Sequence, residues 1–323
     1  MDIGSVHIEG YAALAPMAGV ADRAFRQLCK EYGAAYVVGE MASAKGLVRS
    51  DGKTGELLTV TEPERPMAVQ LFGDEPETMA QAAVLAHAYL PDVIDLNMGC
   101  PAPKIAAGGG GAALMKNPGL AARIIKEVVG VSRVPVTVKI RKGWDDTMVN
   151  AVELARLAEE NGAAAICVHG RTRAQMYAPP VDFDIIRAVK GAVGIPVIAN
   201  GDVTDAQSAK EMLDRTGADF LMIGRGALGA PWLFAELNAF FQSGTVLAPP
   251  SMPERMEAML RQFAMMIEYK GEYTGMREAR KHAAWYLKGF RGAARLRQLS
   301  GALCTLDDAK HLAEEAIVLQ SEI

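Results

Sequence analysis

The sequence predicts an α/β fold, a (β/α)8 TIM barrel followed by a small all-helical C-terminal domain. Eight short apolar runs without polar–apolar alternation indicate strands that are buried on both faces. Alanine-rich or amphipathic stretches separate them, and polar residues follow nearly every run. This arrangement favours a barrel over a doubly wound sheet with a single crevice. The predicted strands are Tyr11–Ala15, Tyr36–Val38, Met67–Gln70, Val93–Leu96, Val136–Ile140, Ala165–His169, Val197–Asn200 and Phe220–Ile223.

The domain boundaries follow from the change of pattern along the chain. The barrel is predicted over residues 1–243, which supplies the roughly 250 residues that such a barrel needs. Residues 244–253 are predicted to be a linker because their prolines and glycine interrupt regular structure. Ser251 and Glu254 have capping-box spacing, and residues 254–323 are predicted to be a helical domain. Within the barrel the clearest helical stretches are Pro76–Tyr89, Pro118–Val129, Val149–Glu160 and Asp205–Arg215.

Composition narrows the class of protein. Half of the 323 residues are hydrophobic and 22% are charged, as in a globular protein. There is no leader pattern and no long apolar run, so a cytoplasmic protein without membrane contact is expected. Four scattered cysteines without a Cys-x-x-Cys pair argue against a disulfide framework or a metal site. The net charge of −4 means that a nucleic-acid partner would need a local basic patch. Nothing demands an oligomer, and a monomer is expected.

The most informative segment is the fourth strand and the turn after it. Gly99 lets the backbone turn closely, and Pro101 stops the strand from continuing. The segment therefore presents Asn97 and Cys100 at the carboxyl end of a strand, where barrel enzymes carry their catalytic groups. A free cysteine is most often a small buried hydrophobe. At this position a reactive thiol is favoured instead.

The residues after the other strands describe a donor-rich site for a phosphorylated ligand. Glycine turns follow strands seven and eight, where barrels commonly hold an anion on backbone N–H groups and a helix start. Arg225 would add a charge-assisted contact. Lys139 and His169, on neighbouring strands, are expected to place positive charge near an electron-rich group of the ligand. A salt bridge at the barrel rim is the alternative for Lys139.

Six motifs resemble those of tRNA-dihydrouridine synthases, most closely the bacterial B-type branch. The resemblance covers nearly the whole chain, including Arg280–Tyr286. It implies an FMN-dependent reductase of uridine in tRNA, with NADPH (or NADH) as the electron donor. The motifs are Ala15–Val20, Asn97–Pro101, Val138–Arg141, Val168–Arg173, Ile198–Asp202 and Met222–Gly226.

The resemblance also implies roles for the site residues. Hydride would pass from flavin N5 to C6 of the uracil, while Cys100 gives a proton to C5. A cysteine has a reference pKa of about 8.5, so its thiol is available as an acid at neutral pH. Asn97 would hydrogen-bond the base. The flavin ring would be bordered by Pro16, Met17, Ala18, Gln70, Lys139 and His169. The ribityl phosphate would lie among Asn200, Gly201, Asp202, Gly224 and Arg225.

A uracil in folded tRNA must turn out of its stack to reach a barrel mouth, and the rest of the RNA needs a positive landing surface. Residues 275–298 carry seven basic residues against one acidic residue. If Met276–Lys288 is one helix, four of the basic residues share a 100° arc. A solvated face is the alternative, but phosphate contacts are favoured. The predicted tRNA contacts are Arg277, Arg280, Lys281, Lys288 and Arg291, with Arg141, Arg171 and Arg173 as substrate contacts at the rim.

Two other functions fit parts of the pattern. An FMN-dependent oxidoreductase of a free pyrimidine, of the dihydroorotate type, would share the lysine and phosphate features. It would leave the basic helical domain without a role. An RNA-binding protein on a barrel without catalysis is the other alternative, against which the intact Cys100 and Lys139 argue.

Overall fold

A computed structural model describes residues 1–289 and 292–321. Eight of its strands pair in parallel into a closed barrel, as predicted, and all eight predicted strands are confirmed. The strands in chain order are β1 Asp2–Ile3, β2 Val6–His7, β3 Ala12–Leu14, β4 Tyr36–Ser43, β5 Met67–Phe72, β6 Val93–Met98, β7 Val136–Asp145, β8 Met148–Val149, β9 Ala165–Thr172, β10 Val197–Asn200 and β11 Phe220–Ile223.

The barrel closes through the pairing of β6 with β7, in which Asn97 lies opposite Lys139. Strands β4, β5, β6, β7 and β9 run past their predicted carboxyl ends. Asn97 and Arg171 consequently lie within strands rather than in the loops that follow them. Strand β8 extends the edge by pairing antiparallel to the end of β7.

The amino end of the barrel is covered by a hairpin that the sequence pattern did not predict. Strands β1 and β2 pair antiparallel, and each has only two residues. Ile3 and Ile8 are fully buried in one cluster with Tyr36 and Phe220 from the starts of barrel strands. The hairpin therefore plugs this end, and the opposite end remains for a ligand.

Helices alternate with the strands and pack outside the barrel. The four helical stretches that were predicted within the barrel are confirmed to within a few residues. Val149 is the exception, because it belongs to β8. The helices are α1 Arg23–Glu31, α2 Ala44–Val48, α3 Gly52–Glu56, α4 Pro76–Ala86, α5 Pro103–Ala107, α6 Pro118–Val131, α7 Ala151–Glu160, α8 Phe183–Lys190, α9 Ala206–Thr216, α10 Leu233–Ser243, α11 Met252–Lys270, α12 Glu272–Tyr286, α13 Ala293–Ser300 and α14 Leu306–Ser321.

The helical region begins slightly earlier than predicted. The predicted capping box is present, since the backbone N–H of Ser251 donates to Glu254 at 2.7 Å. Pro253 is tolerated because the first turn of a helix needs no donor there. Residues 252 and 253 therefore belong to α11, and the connection between α10 and α11 is shorter than the predicted linker. Within 1–289 and 292–321, no helix is long and apolar enough to cross a bilayer.

The C-terminal helices dock on α1, the first helix of the barrel. Arg261 forms an ion pair with Glu31 at 2.6 Å, and Tyr269 donates to Gln27 at 2.6 Å. The ring of Phe25 lies 5.6 Å from that of His282. These contacts place α12 beside the loop between β3 and α1, at the open end of the barrel.

Candidate active site

The carboxyl ends of four barrel strands bring four of the predicted site residues together. In the register of the sheet, Asn97 lies opposite Lys139, and Asn200 lies opposite His169. Lys139 Nζ donates to Asn200 Oδ1 at 2.8 Å. Asn200 Nδ2 in turn donates to the Met222 carbonyl at 2.8 Å. The lysine is thus held across the barrel mouth, and its partner is an amide instead of a rim carboxylate.

The turn that carries Cys100 is held by Asn97. The Asn97 side-chain oxygen accepts from the backbone N–H of Cys100 at 2.9 Å and from that of Gly99 at 3.2 Å. Its amide nitrogen donates to Gln70 Oε1 at 2.8 Å and contacts Met41 Sδ at 3.6 Å. Both ends of this amide are engaged within the protein. These bonds suit Asn97 to position the Cys100 turn, and its bond to the substrate base stays a prediction.

Sequence reasoning missed the carboxylate beneath this turn. Asp95, in the middle of β6, accepts from Gln70 Nε2 at 2.6 Å and from the Thr137 hydroxyl at 2.6 Å. Burial raises the pKa of Asp95, whereas these two hydrogen bonds and the charge of Lys139 act in the opposite direction. An acidic residue inside an otherwise apolar strand was the only available signal. Because Gln70 pairs with both Asp95 and Asn97, its amide orientation is set by the carboxylate.

Gly111 packs against the Cys100 turn. It is buried, has φ +58°, and begins the 3₁₀ turn Gly111–Lys116. A Cβ at this position would lie 2.9 Å from the Cys100 carbonyl oxygen and 3.1 Å from the Cys100 Cβ. The next residue, Ala112, donates its N–H to the same carbonyl at 3.0 Å. Only glycine lets this turn lie so close to the thiol.

Replacing Gly111 by alanine is therefore expected to displace Cys100 and to destabilise the fold by about 1–3 kcal/mol. Both effects have the same cause, since the added methyl group meets the Cys100 backbone. Thermal denaturation measures the stability, and the alkylation rate of Cys100 by iodoacetamide reports its placement.

Gly217 supplies a matched control for that variant. It also has a positive φ, +66°, but a Cβ there would meet nothing within 4 Å. Gly217→Ala should destabilise the fold only by the strain of an alanine at positive φ, about 1 kcal/mol. The alkylation rate of Cys100 should stay unchanged. Equal behaviour of the two variants would rule out the close packing of Gly111 on Cys100 as the cause.

The predicted phosphate end lies where β10 and β11 finish. Gly201 has φ +140° and Asp202 has φ +45°. A Cβ on Gly224 would enter a space bordered by Ala15 Cβ and Met17 Sδ, each at 3.8 Å. The 3₁₀ turn Arg225–Ala227 starts immediately after Gly224. The two glycine-bearing turns thus follow neighbouring strands, and their backbone N–H groups are donors of the kind that bind an anion.

Two arginines converge on Asp202 at this end. Arg171 donates to both carboxylate oxygens of Asp202, and Arg225 donates to Oδ1 at 3.0 Å. Arg171 is only 1% exposed and also donates to the Ala178 carbonyl at 2.6 Å. Since a carboxylate repels a phosphate, Asp202 is suited to orient the two guanidinium groups and to contact an anion through its backbone. Arg171 is thus buried among partners within the protein, and its contact with RNA stays a prediction.

His169 departs from the prediction in its charge. It is 8% exposed. Burial lowers the pKa of His169 far below its usual range, and the charges of Lys139, Arg141, Arg171 and Arg225 lower it further. The imidazole is therefore neutral at physiological pH. Of the two residues predicted to place positive charge here, Lys139 is the one that supplies it.

Arg141 is also deeply buried. It is 3% exposed, and burial lowers its pKa to about 10. Its guanidinium donates to the carbonyls of Gly99 at 2.8 Å, Thr172 at 3.0 Å and Met176 at 2.8 Å. These bonds tie the Cys100 turn to the end of β9 and the loop after it, and the substrate contact of Arg141 stays a prediction.

The rim carries aromatic side chains that the sequence reading did not single out. The Arg173 guanidinium lies 4.7 Å from the ring centre of Trp144, and Arg173 Nε is buried with no hydrogen-bond partner. Arg225 lies 4.8 Å from the ring centre of Tyr177, which is about half exposed. Such stacked cation–aromatic pairs are typical of surfaces that meet nucleic-acid bases. Of the three arginines that were predicted at the rim, Arg173 is the one that is not buried.

The predicted RNA contacts on the helical region are arranged differently from expectation. Helix α12 ends at Tyr286, so the assumption of one helix over Met276–Lys288 is wrong, and Lys288 leaves the predicted arc. Gly289, with φ +91°, turns the chain there. Arg291 lies outside the described residues.

The three basic residues that remain on α12 all have partners within the protein. Arg277 lies over the ring of Tyr273 and donates to its hydroxyl at 2.6 Å. Arg280 donates to the Leu303 carbonyl at 2.8 Å. Lys281 donates to the carbonyl of Gly19. The ammonium of Lys281 is therefore directed at the barrel, and Arg277 and Arg280 remain as the candidate RNA contacts of this helix. In the described part of the chain, no group of three or more His, Cys, Asp or Glu residues is placed to hold a metal ion.

Three curated proteins are similar in sequence to this chain over most of its length. A tRNA-dihydrouridine synthase B from Shewanella oneidensis is 45% identical over 287 residues, which cover 89% of each chain. Its counterpart from Vibrio vulnificus is 42% identical over 317 residues, or 98% of this chain and 97% of that protein. A probable tRNA-dihydrouridine synthase from Rickettsia conorii is 41% identical over 307 residues, covering 95% of this chain and 92% of the other.

Solved structures support the barrel. A morphinone reductase variant in complex with tetrahydroNAD matches with a TM-score of 0.55 at 17% identity, covering 79% of this chain and 92% of that one. An old yellow enzyme homologue from Zymomonas mobilis matches with a TM-score of 0.54 at 14% identity, covering 76% and 92% of the two chains. At such low identity the likeness shows the fold alone. The model of the family described as dihydrouridine synthase (Dus) matches residues 13–322, and the chain belongs to that family.

Proposed function

We propose that this protein reduces the C5=C6 bond of uridine in tRNA, as a tRNA-dihydrouridine synthase. The family and the curated relatives support this activity. The observation that carries it is the half-buried thiol of Cys100 at the end of β6, held by Asn97 within a mouth that presents the ammonium of Lys139. A thiol at this cationic, donor-rich site is suited to deliver a proton to the pyrimidine ring while the ring is being reduced.

The proposed cofactor is a flavin, specifically FMN, which supplies the hydride that reaches C6 of the uracil when it is bound. The single phosphate of FMN is proposed to meet the glycine-bearing turns that follow β10 and β11, where Arg225 bonds to Asp202. The residues proposed to border the ring are Pro16, Met17, Ala18, Gln70, Lys139 and His169. Those proposed around the phosphate are Asn200, Gly201, Asp202, Gly224 and Arg225.

The protein's own chemistry in this reaction is the transfer of one proton. The S–H bond of Cys100 breaks as a C5–H bond forms, so the hydride at C6 and the proton at C5 together complete the reduction. The thiolate left on Cys100 must regain a proton before the next turnover. Arg141 holds the Cys100 turn through the Gly99 carbonyl, and Asn97 holds it through two N–H groups. NADPH or NADH is the proposed reductant.

The proposed partner is tRNA, bound by a monomer of this chain. The uridine must be turned out of the RNA stack to meet Cys100. Arg173 with Trp144, and Arg277 with Tyr273, would then meet the neighbouring nucleotides. Residues 1–243 are proposed as the catalytic barrel and 254–323 as the RNA-binding helical region.

An anaerobic oxidation experiment tests the function. The flavin of the purified holoenzyme is reduced under anaerobic conditions, and its absorbance is followed after addition of unmodified tRNA, free uracil or orotate. Rapid reoxidation by tRNA alone, with dihydrouridine found in the RNA by mass spectrometry, is the expected result. Reoxidation by orotate or uracil alone would instead identify a free-pyrimidine oxidoreductase and refute the proposal.

A further inference from the structure

Gly19, in the loop between β3 and α1, is held at both of its polar backbone groups. Its N–H donates to the carboxylate of Glu40 on β4, and its carbonyl accepts from the ammonium of Lys281 on α12. Its φ is +71°, a conformation that favours glycine. Two side chains from distant parts of the sequence therefore fix one peptide segment.

This segment borders the proposed flavin site. The Met17 carbonyl accepts from Val20 at 2.9 Å and from Ala21 at 2.8 Å, which closes a tight turn around Gly19. Met17 Sδ lies 3.8 Å from the position of a Cβ on Gly224, at the proposed phosphate end. A displacement of Gly19 would therefore be passed to the side chain that borders this space.

Helix α12 and its predecessor hold the same loop at a second point. Lys270, the last residue of α11, donates to Asp22 and to Glu278 of α12. Asp22 is 5% exposed and caps α1 through the N–H of Phe25 at 3.0 Å. Two lysines of the C-terminal helices thus hold the loop from Met17 to Asp22. Lys281 holds it at Gly19, and Lys270 holds it at Asp22.

We propose that Lys281 is a positioning residue for the turn at Met17–Gly19, and that it links the C-terminal helical region to the flavin site. This inference rests on the proposed function, because it takes that turn to be part of the flavin site. It differs from the role predicted from the charge pattern, in which Lys281 binds an RNA phosphate. The two roles have different consequences for the flavin and for salt dependence, so they can be separated.

The test compares Lys281→Met with Lys281→Arg in the full-length protein. Methionine keeps most of the apolar length and removes the donor, whereas arginine keeps a cationic donor. Lys281→Met is expected to raise the flavin dissociation constant about tenfold, the equivalent of losing one charged hydrogen bond, and to change the visible circular dichroism of the bound flavin. Lys281→Arg should recover most of both properties. The salt dependence of tRNA binding should stay that of the wild type.

Lys30 provides a matched control. Its ammonium also donates to a backbone carbonyl, that of Ala35 at 3.2 Å, but at the amino end of β4 and hence at the opposite end of the barrel. Lys30→Met removes the same kind of bond and the same charge. It is expected to leave the flavin dissociation constant and the circular dichroism unchanged.

One result would contradict the inference about Lys281. If Lys281→Met leaves both flavin properties unchanged and lowers the slope of log K for tRNA against log salt by about 1, Lys281 is a phosphate contact and the inference is wrong. A wild type that binds flavin but does not reduce tRNA refutes the proposed function alone, since the flavin measurements still report on Lys281. A wild type that binds no flavin refutes both.

Discussion

Cys100→Ala is expected to lower the rate of dihydrouridine formation about 10³-fold, in the range by which a general acid accelerates proton transfer. The variant loses the proton source for C5, while the turn held by Asn97 and the proposed flavin residues are left in place. Flavin content and the rate of flavin reduction by NADPH should therefore match the wild type. Single-turnover assays with anaerobically reduced enzyme and unmodified tRNA measure the loss directly.

Cys304 is the control for this variant. It is an exposed cysteine after α13, outside the barrel, and its sulfur contacts Arg280 at 3.6 Å. Cys304→Ala therefore removes a thiol without changing the barrel strands, and saturating tRNA compensates for any effect on RNA binding through Arg280. The variant should form dihydrouridine at the wild-type rate. Wild-type turnover by Cys100→Ala would show that another group supplies the proton.

Asn97→Leu is expected to lower kcat about 10²-fold, because a displacement near 1 Å of a reacting group can cost this much. Leucine has a similar size but cannot accept from the N–H groups of Cys100 and Gly99. Each donor left unsatisfied in the interior costs about 1–3 kcal/mol, so the turn is expected to rearrange. Steady-state kinetics with tRNA would show the fall in kcat with a smaller change in KM.

Asn97→Asp separates positioning from substrate recognition. The carboxylate can still accept from both N–H groups, and Lys139 lies opposite it in the neighbouring strand. It cannot donate, so the bond to Gln70 Oε1 is lost together with any bond to the uracil. If positioning is the role, Asn97→Asp loses less in kcat than Asn97→Leu, because only the aspartate keeps the two bonds to the Cys100 turn. Equal kcat in the two variants, with an equal rise in KM for tRNA, would favour direct recognition of the base.

The barrel could be predicted because its strands are buried on both faces and are therefore continuously apolar. The same criterion placed several strand ends too early. Asn97 and Arg171 are polar and lay beyond the predicted ends, although they still belong to strands β6 and β9. The hairpin β1–β2 was missed because two strands of two residues have no detectable period.

The site was predictable in its residues and less so in their roles. Cys100, Lys139 and the glycine turns stand where strand ends predict them. The roles of Arg141 and Lys281 depend on carbonyls contributed by other parts of the chain, at Thr172 and Gly19. No periodicity in the sequence reports such a pairing. The lowered pKa of His169 likewise arises from burial, and then from four cations that meet only in the folded barrel.

The docking of the last helices on α1 has a consequence for how the chain folds during synthesis. The contacts of α1 with Arg261 and Tyr269 span 230 and 242 residues of sequence. The first β/α unit leaves the ribosome early, yet the outer face of α1 stays uncovered until α11 and α12 have emerged. Contacts between such distant segments form late and slow the folding of a domain. We expect the barrel to reach its final state after synthesis, with the exposed face of α1 as the surface that a chaperone would meet.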